Sequence, residues 1–87
     1  MIKMTFNQRN DYVEDVLRQF KTLHDRYTSE NKQLTDSEWK SYIDSMDAIA
    51  GMYKDSNLED FVGKLCMVFL DDTEMMQKKL REINNDN

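Results

Sequence analysis

Residues that make tight turns are almost missing from this chain of 87 residues, and their scarcity constrains the fold more than any other feature. Proline is absent, and glycine occurs only at Gly51 and Gly63. A β-rich domain of this size needs several tight turns, which are usually built with Gly, Pro or an Asn-Gly pair. The sequence therefore predicts an all-α fold, and its length predicts a single helical domain over residues 1–87.

Apolar residues recur at spacings of three and four along three segments, which is the pattern of one helix face. The segments predict helices at about 6–28, 36–54 and 58–84. Thr35 and Glu38 form a capping-box pattern at the start of the second helix, and Ser56 and Glu59 form another before the third. Because short loops make consecutive helices antiparallel, we expect an antiparallel three-helix bundle.

The third helix could be divided near Asp72. The sequence Asp71-Asp72-Thr73-Glu74 has the composition of a helix start, yet the apolar spacing keeps its phase from Leu58 to Ile83. We favour one helix, with a kink near Asp72 or two helices meeting there as the alternatives.

The residue types of most enzyme sites are scarce. His24 is the single histidine, it lies beside the apolar stripe of the first helix, and Cys66 is the single cysteine. Pairs of zinc ligands are therefore missing from the sequence. It also contains no calcium-binding loop and no glycine-rich phosphate loop. We expect a protein that is not an enzyme and that has no catalytic, cofactor or metal site.

The sequence favours a cytoplasmic protein, in a bacterial or a host cell. A single cysteine cannot form an intramolecular disulfide, and small proteins without disulfides suit a reducing compartment. The first residues lack the apolar stretch of a signal peptide. The longest apolar run, residues 65–70, is too short to cross a bilayer. No membrane partner is expected.

Negative charge is concentrated in the middle of the chain. Residues 36–74 contain ten acidic and three basic residues, for a net charge of −7, whereas the whole chain carries −5. Such a surface repels nucleic acid and attracts a basic partner, although acidity also serves solubility alone. The predicted partner-binding acidic residues are Asp44, Asp47, Asp55, Glu59, Asp60, Asp71, Asp72 and Glu74.

The apolar run at 65–70 is wider than one helix face requires. Either this segment is covered on both sides by the other helices, or part of it is exposed and binds a second copy of the chain. Met-rich surfaces adapt readily to partners, and the chain has seven methionines. The predicted residues for self-association into a dimer are Met67, Phe69, Leu70, Met75 and Met76.

A DNA-binding regulator is the weakest hypothesis. It would need the C-terminal bases Lys78, Lys79 and Arg81 to share a face with Arg18, Lys21 and Arg26 of the first helix. Bases at the end of a helix are also explained by the helix dipole, and the third helix opens with Glu59 and Asp60. Direct nucleic-acid binding is therefore not expected.

In general character the chain resembles accessory proteins of bacteriophages and mobile elements, since it is short, acidic, free of proline and rich in Asn and Met. Small inhibitors of host defence, such as anti-CRISPR proteins, are often of this kind. The resemblance implies an inhibitor that acts by binding. The leading hypothesis is thus a protein-binding inhibitor or adaptor that docks its acidic residues on a basic partner, such as a nucleic-acid-binding host protein. A homo-oligomeric structural or assembly protein is the alternative.

Overall fold

The computed structural model describes the backbone of residues 6–85 and the side chains of residues 8–83. In this range the chain forms α1 (Phe6–Thr28), α2 (Asp36–Gly51) and α3 (Glu59–Asn85). Each helix packs against the other two. The predicted all-α three-helix bundle is confirmed. Between residues 6 and 85, no helix has both the length and the apolar composition needed to span a membrane.

The start of α2 is fixed by the predicted capping box. Thr35 Oγ1 accepts a hydrogen bond from the Glu38 amide at 3.1 Å, and Glu38 Oε1 accepts one from the Thr35 amide at 3.0 Å. These bonds satisfy backbone donors that the first helical turn leaves free. Asp36 and Glu38 also place negative charge at the positive end of the helix dipole.

The end of α2 lies at Gly51, three residues before the predicted end. The amides of Met52, Tyr53 and Lys54 donate to carbonyls three residues back, at 3.1–3.3 Å. Bonds of this spacing belong to a tighter turn than the α-helix. The chain therefore stays coiled as far as Lys54, which explains why the apolar spacing continues to Tyr53.

The turn before α3 does not contain the predicted second capping box. Ser56 Oγ accepts from the Leu58 amide at 3.1 Å and donates to the Tyr53 carbonyl at 2.6 Å. Ser56 thus stabilises the turn itself, and α3 begins at Glu59. Leu58 is fully buried directly before this start.

No break in α3 occurs near Asp72. Thr73 Oγ1 donates to the Phe69 carbonyl at 3.0 Å, one turn back in the same helix. Its hydroxyl therefore bonds within a continuous helix and does not cap a new one. The helix runs from Glu59 to Asn85, as the phase of the apolar stripe predicted.

The core lies along the axis where the three helices meet. Its buried apolar residues are Val16, Phe20, Leu23, Tyr42, Met46, Tyr53, Leu58, Val62 and Cys66. Aromatic rings join the helices: Phe20 of α1 stacks on Phe69 of α3 with 6.0 Å between ring centroids, and Tyr27 of α1 lies 4.9 Å from Tyr42 of α2. Tyr42 also stacks on Trp39 at 5.7 Å.

Three apolar residues of the predicted stripes are exposed. Leu17, Ile43 and Ile83 are exposed by 42%, 38% and 62%. Each lies at the edge of its stripe, where a small rotation of the helix decides whether the side chain is covered. Two polar residues, Thr73 and Gln77, occupy buried positions on α3 instead.

Candidate protein-binding surface

Two contacts fix how α2 and α3 lie against each other. Tyr42 of α2 is hydrogen-bonded to Thr73 of α3, with 2.9 Å between the hydroxyl oxygens. Just before α2, the Leu34 amide donates to Gln77 Oε1 at 2.8 Å, four residues farther along α3 than Thr73. Burial also raises the pKa of the Cys66 thiol, and the negative charge of Asp47 raises it further. The two helices are therefore antiparallel, and Ile43 and Asp47 lie on the side of α2 that faces α3.

Five of the predicted acidic residues share the surface formed by these two helices. On α3, Glu59 and Asp60 precede Gly63 by one turn, and Met67, Leu70 and Glu74 follow at spacings of four, three and four. This stripe lies next to Cys66, on the side facing α2. We call the resulting surface the acidic face, and its exposed acidic residues are Asp44, Asp47, Glu59, Asp60 and Glu74.

Most of these carboxylates have no cation beside them. Asp44 is 2.8 Å from Lys40 Nζ, and this contact raises the pKa of Lys40. Within residues 8–83 the other four form no ion pair. In the same range, no three acidic, histidine or cysteine side chains are close enough together to hold a metal ion. The acidic face thus presents spread negative charge and not a chelating cluster.

Apolar side chains lie among these acids. Ile43 directly follows Tyr42 on α2, and Leu70 and Met67 lie within two turns before Thr73 on α3. Ile43 and Met67 are exposed, and Leu70 is half-buried. An exposed apolar centre with a charged rim is a common arrangement at protein–protein interfaces.

The other three predicted acids lie elsewhere. Asp72 is turned toward α1, where its Oδ2 is 2.9 Å from His24 Nε2. Asp55 belongs to the turn before α3 and has a left-handed backbone, with φ of 63°. Asp71 is exposed on the outer side of α3. The acidic face therefore contains five of the eight predicted residues.

His24 links α1 and α3. Its ring lies 5.3 Å from the Phe69 ring, and its side chain is 17% exposed. Its Nδ1 is also 3.7 Å from Asp25. The position at the edge of the core agrees with the expectation of a boundary residue.

The residues predicted for self-association are divided by the fold. Phe69 and Leu70 are half-buried and pack against the core, and Met76 is half-buried as well. Met67 and Met75 are exposed by 55% and 48%. Val68, which was not among the predicted residues, is exposed by 62%. Its place in the apolar run was the available signal.

The basic residues considered for DNA binding are separated on α1. Arg18 pairs with Asp15 at 3.3 Å, and Lys21 pairs with Asp25 at 2.7 Å. Arg18 and Arg26 line a shallow groove of about 460 Å³ between α1 and α2, and Lys21 is not among the residues that line it. Two of the three α1 bases are thus already partnered by carboxylates.

Gln77 holds the loop between α1 and α2, a role that was not predicted from the sequence. Its Oε1 accepts from the Leu34 amide at 2.8 Å, and its Nε2 donates to the Lys32 carbonyl at 3.2 Å. A polar residue within an apolar stripe, after Phe69 and Thr73 at four-residue spacing, was the signal that could have identified it.

No protein-family model matches this chain, and no curated protein or solved structure matches it.

Proposed function

We propose that this chain is a protein-binding module, an inhibitor or adaptor, that docks its acidic face on a basic surface of a macromolecular partner. The observation that supports the proposal is the meeting of acids from two separate parts of the sequence on one exposed surface. Four of its five carboxylates have no cation beside them within residues 8–83. Their charge is therefore free to attract a partner.

The nature of the partner follows from the chemistry of this surface. Carboxylates on a rigid helical surface resemble a row of phosphates in sign of charge, so the basic groove of a nucleic-acid-binding protein is the fitting partner. Ile43 and Met67 would supply apolar contact at the centre, where charged groups contribute less. The general resemblance to phage accessory proteins suggests that this partner is a host-defence protein.

Affinity capture with matched charge reversals tests the proposal. The chain is immobilised and exposed to a nuclease-treated bacterial lysate. The test variant is Asp44→Lys with Asp47→Lys, on the acidic face. The control is Asp11→Lys with Glu14→Lys, which reverses two exposed acids with the same spacing on α1. We expect the wild type and the control to retain the same basic protein and the test variant to lose it.

Salt and nucleic acid give two further readouts on the captured protein. Its retention should weaken steeply from about 0.05 M to about 0.5 M salt, since the screening length falls below about 10 Å in this range. Duplex DNA should compete with the chain for the captured protein. Retention that survives charge reversal of Asp44 and Asp47, or that ignores salt, would contradict the proposal.

A further inference from the structure

The outer side of α3 carries a second exposed surface. Val68, Asp71, Met75, Lys79 and Ile83 are all exposed and follow each other at spacings of three, four, four and four. They form a slanting row that covers about a third of the helix circumference, and we call it the outer stripe. Val68 and Met75 directly follow Met67 and Glu74, so these two residues of the outer stripe lie about 100° farther round α3.

The order of residues in the outer stripe is self-complementary. The order is apolar, acidic, apolar, basic, apolar. When the stripe is read in the opposite direction, only the acidic and the basic position change places. If two copies of α3 lie antiparallel with Met75 opposite Met75, Asp71 of each copy lies opposite Lys79 of the other. Val68 then lies within one residue of the position opposite Ile83. Every position meets a compatible side chain.

The charges of the stripe are unpaired within the chain. Asp71 and Lys79 form no ion pair among the described residues. Along α3 as a whole, residues 59–74 carry five acids and one base, and residues 75–85 carry three bases and one acid. An antiparallel pair therefore places the basic end of each helix beside the acidic part of the other.

The last part of α3 also lacks α1 as a neighbour. His24 lies level with Asp72, and α1 ends at Thr28, four residues later. Since α1 and α3 run in the same direction, α3 continues beyond α1 from about residue 77. Ile83 on this projecting part is exposed by 62%.

A matching apolar site is present near the middle of the molecule. The contacts Arg9–Phe61 and His24–Asp72 place Leu17 of α1 beside the part of α3 that contains Val68. Leu17 and Val68 are exposed by 42% and 62%. In the antiparallel pair, Ile83 of one copy would cover these two side chains of the other.

We propose that the outer stripe is a self-association surface, through which two copies of this chain pair antiparallel along α3 around Met75. This surface does not include the acidic face, so a dimer would present two acidic faces. Two such faces on one particle would raise the avidity for a partner with repeated basic sites. Contact along one helix is small, so the dimer should form only at high protein concentration.

Sedimentation equilibrium of the purified chain tests self-association without any partner. We expect a monomer–dimer equilibrium between about 10 μM and about 1 mM protein. Met75→Lys should abolish the dimer. Ile43→Lys, which places the same charge at an exposed apolar residue of α2, should leave the dimer unchanged. A monomer at every concentration, or an equal effect of both variants, overturns the proposal.

A charge swap tests the register. Asp71→Lys places a lysine opposite Lys79 of the other copy, at both symmetry-related positions of the dimer. Dimerisation should therefore weaken by roughly tenfold at low salt. Asp71→Lys combined with Lys79→Asp restores both opposite-charge pairs and should restore dimerisation. Failure of the double variant to recover overturns the register.

Symmetric cross-linking provides an independent measurement. A residue on the two-fold axis meets its own copy, and packed helices bring such Cα atoms to about 5 Å, which a disulfide spans. Met75→Cys should therefore cross-link on mild oxidation, whereas Met67→Cys, two turns away and off the stripe, should not. Native Cys66 is 5% exposed and stays inert in both variants. Equal cross-linking of the two variants overturns the proposed axis.

Discussion

At the scale of single residues, the hydroxyl groups of Tyr42 and Thr73 form the most buried polar contact between two helices. Thr73 has one hydroxyl proton, which it donates to the Phe69 carbonyl, so Tyr42 donates to Thr73 Oγ1. Both residues are fully buried, and burial raises the pKa of Tyr42. The two hydroxyl groups therefore differ in their hydrogen bonding. The Tyr42 hydroxyl needs Thr73 as its acceptor, whereas the Thr73 hydroxyl still donates to the Phe69 carbonyl when the Tyr42 hydroxyl is removed.

This asymmetry predicts unequal costs for two small substitutions. Thr73→Val leaves the buried Tyr42 hydroxyl without an acceptor and should lower the free energy of unfolding by about 1–3 kcal/mol. Tyr42→Phe should cost less, about 0.5–1.5 kcal/mol, because the Thr73 hydroxyl still donates to Phe69. Urea unfolding of both variants and of the double variant gives the comparison. A larger loss for Tyr42→Phe would contradict the assigned donor.

Glu38 of the capping box predicts a pH effect on stability. The pKa of Glu38 lies below its ordinary value of 4.5. The largest cause is the hydrogen bond from the Thr35 backbone amide, and the hydrogen bond with the Thr35 side chain is the second. The fold favours the ionised form of Glu38. The stability that the ionised carboxylate contributes is therefore complete above pH 4.5, and it is lost as the pH falls through the lowered pKa.

Glu38→Gln keeps an acceptor oxygen for the Thr35 amide but cannot titrate. Wild-type stability should therefore fall toward that of the variant between about pH 6 and about pH 3. Urea midpoints of both proteins across this range measure the difference. Curves that stay parallel over the whole range would exclude the Glu38 carboxylate as the source.

At the scale of secondary-structure elements, the α1–α2 loop is held by one side chain of α3. Gln77 accepts from the Leu34 amide and donates to the Lys32 carbonyl, and it is 5% exposed. Gln77→Leu preserves much of the volume but removes both hydrogen bonds. We expect a loss of about 1–3 kcal/mol in the free energy of unfolding, because the Leu34 amide loses its acceptor.

Hydrogen exchange distinguishes this local role from general destabilisation. In Gln77→Leu, the amide of Leu34 should exchange much faster, while the amides of α1 and α2 away from the loop change only by the global loss of stability. Unchanged protection at Leu34 would show that the loop is held by other contacts.

The helices themselves could be predicted because their causes are local. Spacings of three and four define the stripes, and the Thr35–Glu38 capping box involves residues only three apart. The hydrogen-bond partners of Thr73 and Gln77 could not be predicted, since Tyr42 and Leu34 lie 31 and 43 residues away. The exposure of Leu17 and Ile43 depends on helix rotation, which is set by tertiary packing.

At the scale of the whole molecule, the packing of the helices selects which predicted side chains act together. The sequence named eight candidate acids and left their grouping open, and α2–α3 packing places five on the acidic face and turns Asp72 toward His24. The sequence also left open how much of the apolar run is exposed, and in the fold Phe69 packs inward while Val68 lies outside. Surface composition could be predicted, whereas the grouping required the register between helices.

The shared core also predicts that the three helices unfold together. The buried residues of all three helices form one cluster, and Cys66 of α3 lies within it at 5% exposure. Burial raises the pKa of this thiol, so Cys66 stays protonated in the folded chain at about pH 8. A protonated thiol does not react with labelling reagents, because the thiolate is the nucleophile. Trp39, the single tryptophan, lies on α2 and stacks on Tyr42.

Three probes should therefore report one transition as urea is raised. Trp39 fluorescence follows α2 and its contacts, thiol labelling of Cys66 follows access to α3, and circular dichroism follows total helix content. We expect coincident midpoints, with rapid labelling only where helix content is lost. Labelling of Cys66 at urea concentrations that leave Trp39 fluorescence and helix content unchanged would instead mean that α3 separates from an intact α1–α2 pair. The Tyr42–Thr73 and Gln77–Leu34 hydrogen bonds oppose that separation, because α3 cannot leave without exposing the buried side chains of Tyr42, Thr73 and Gln77 to water.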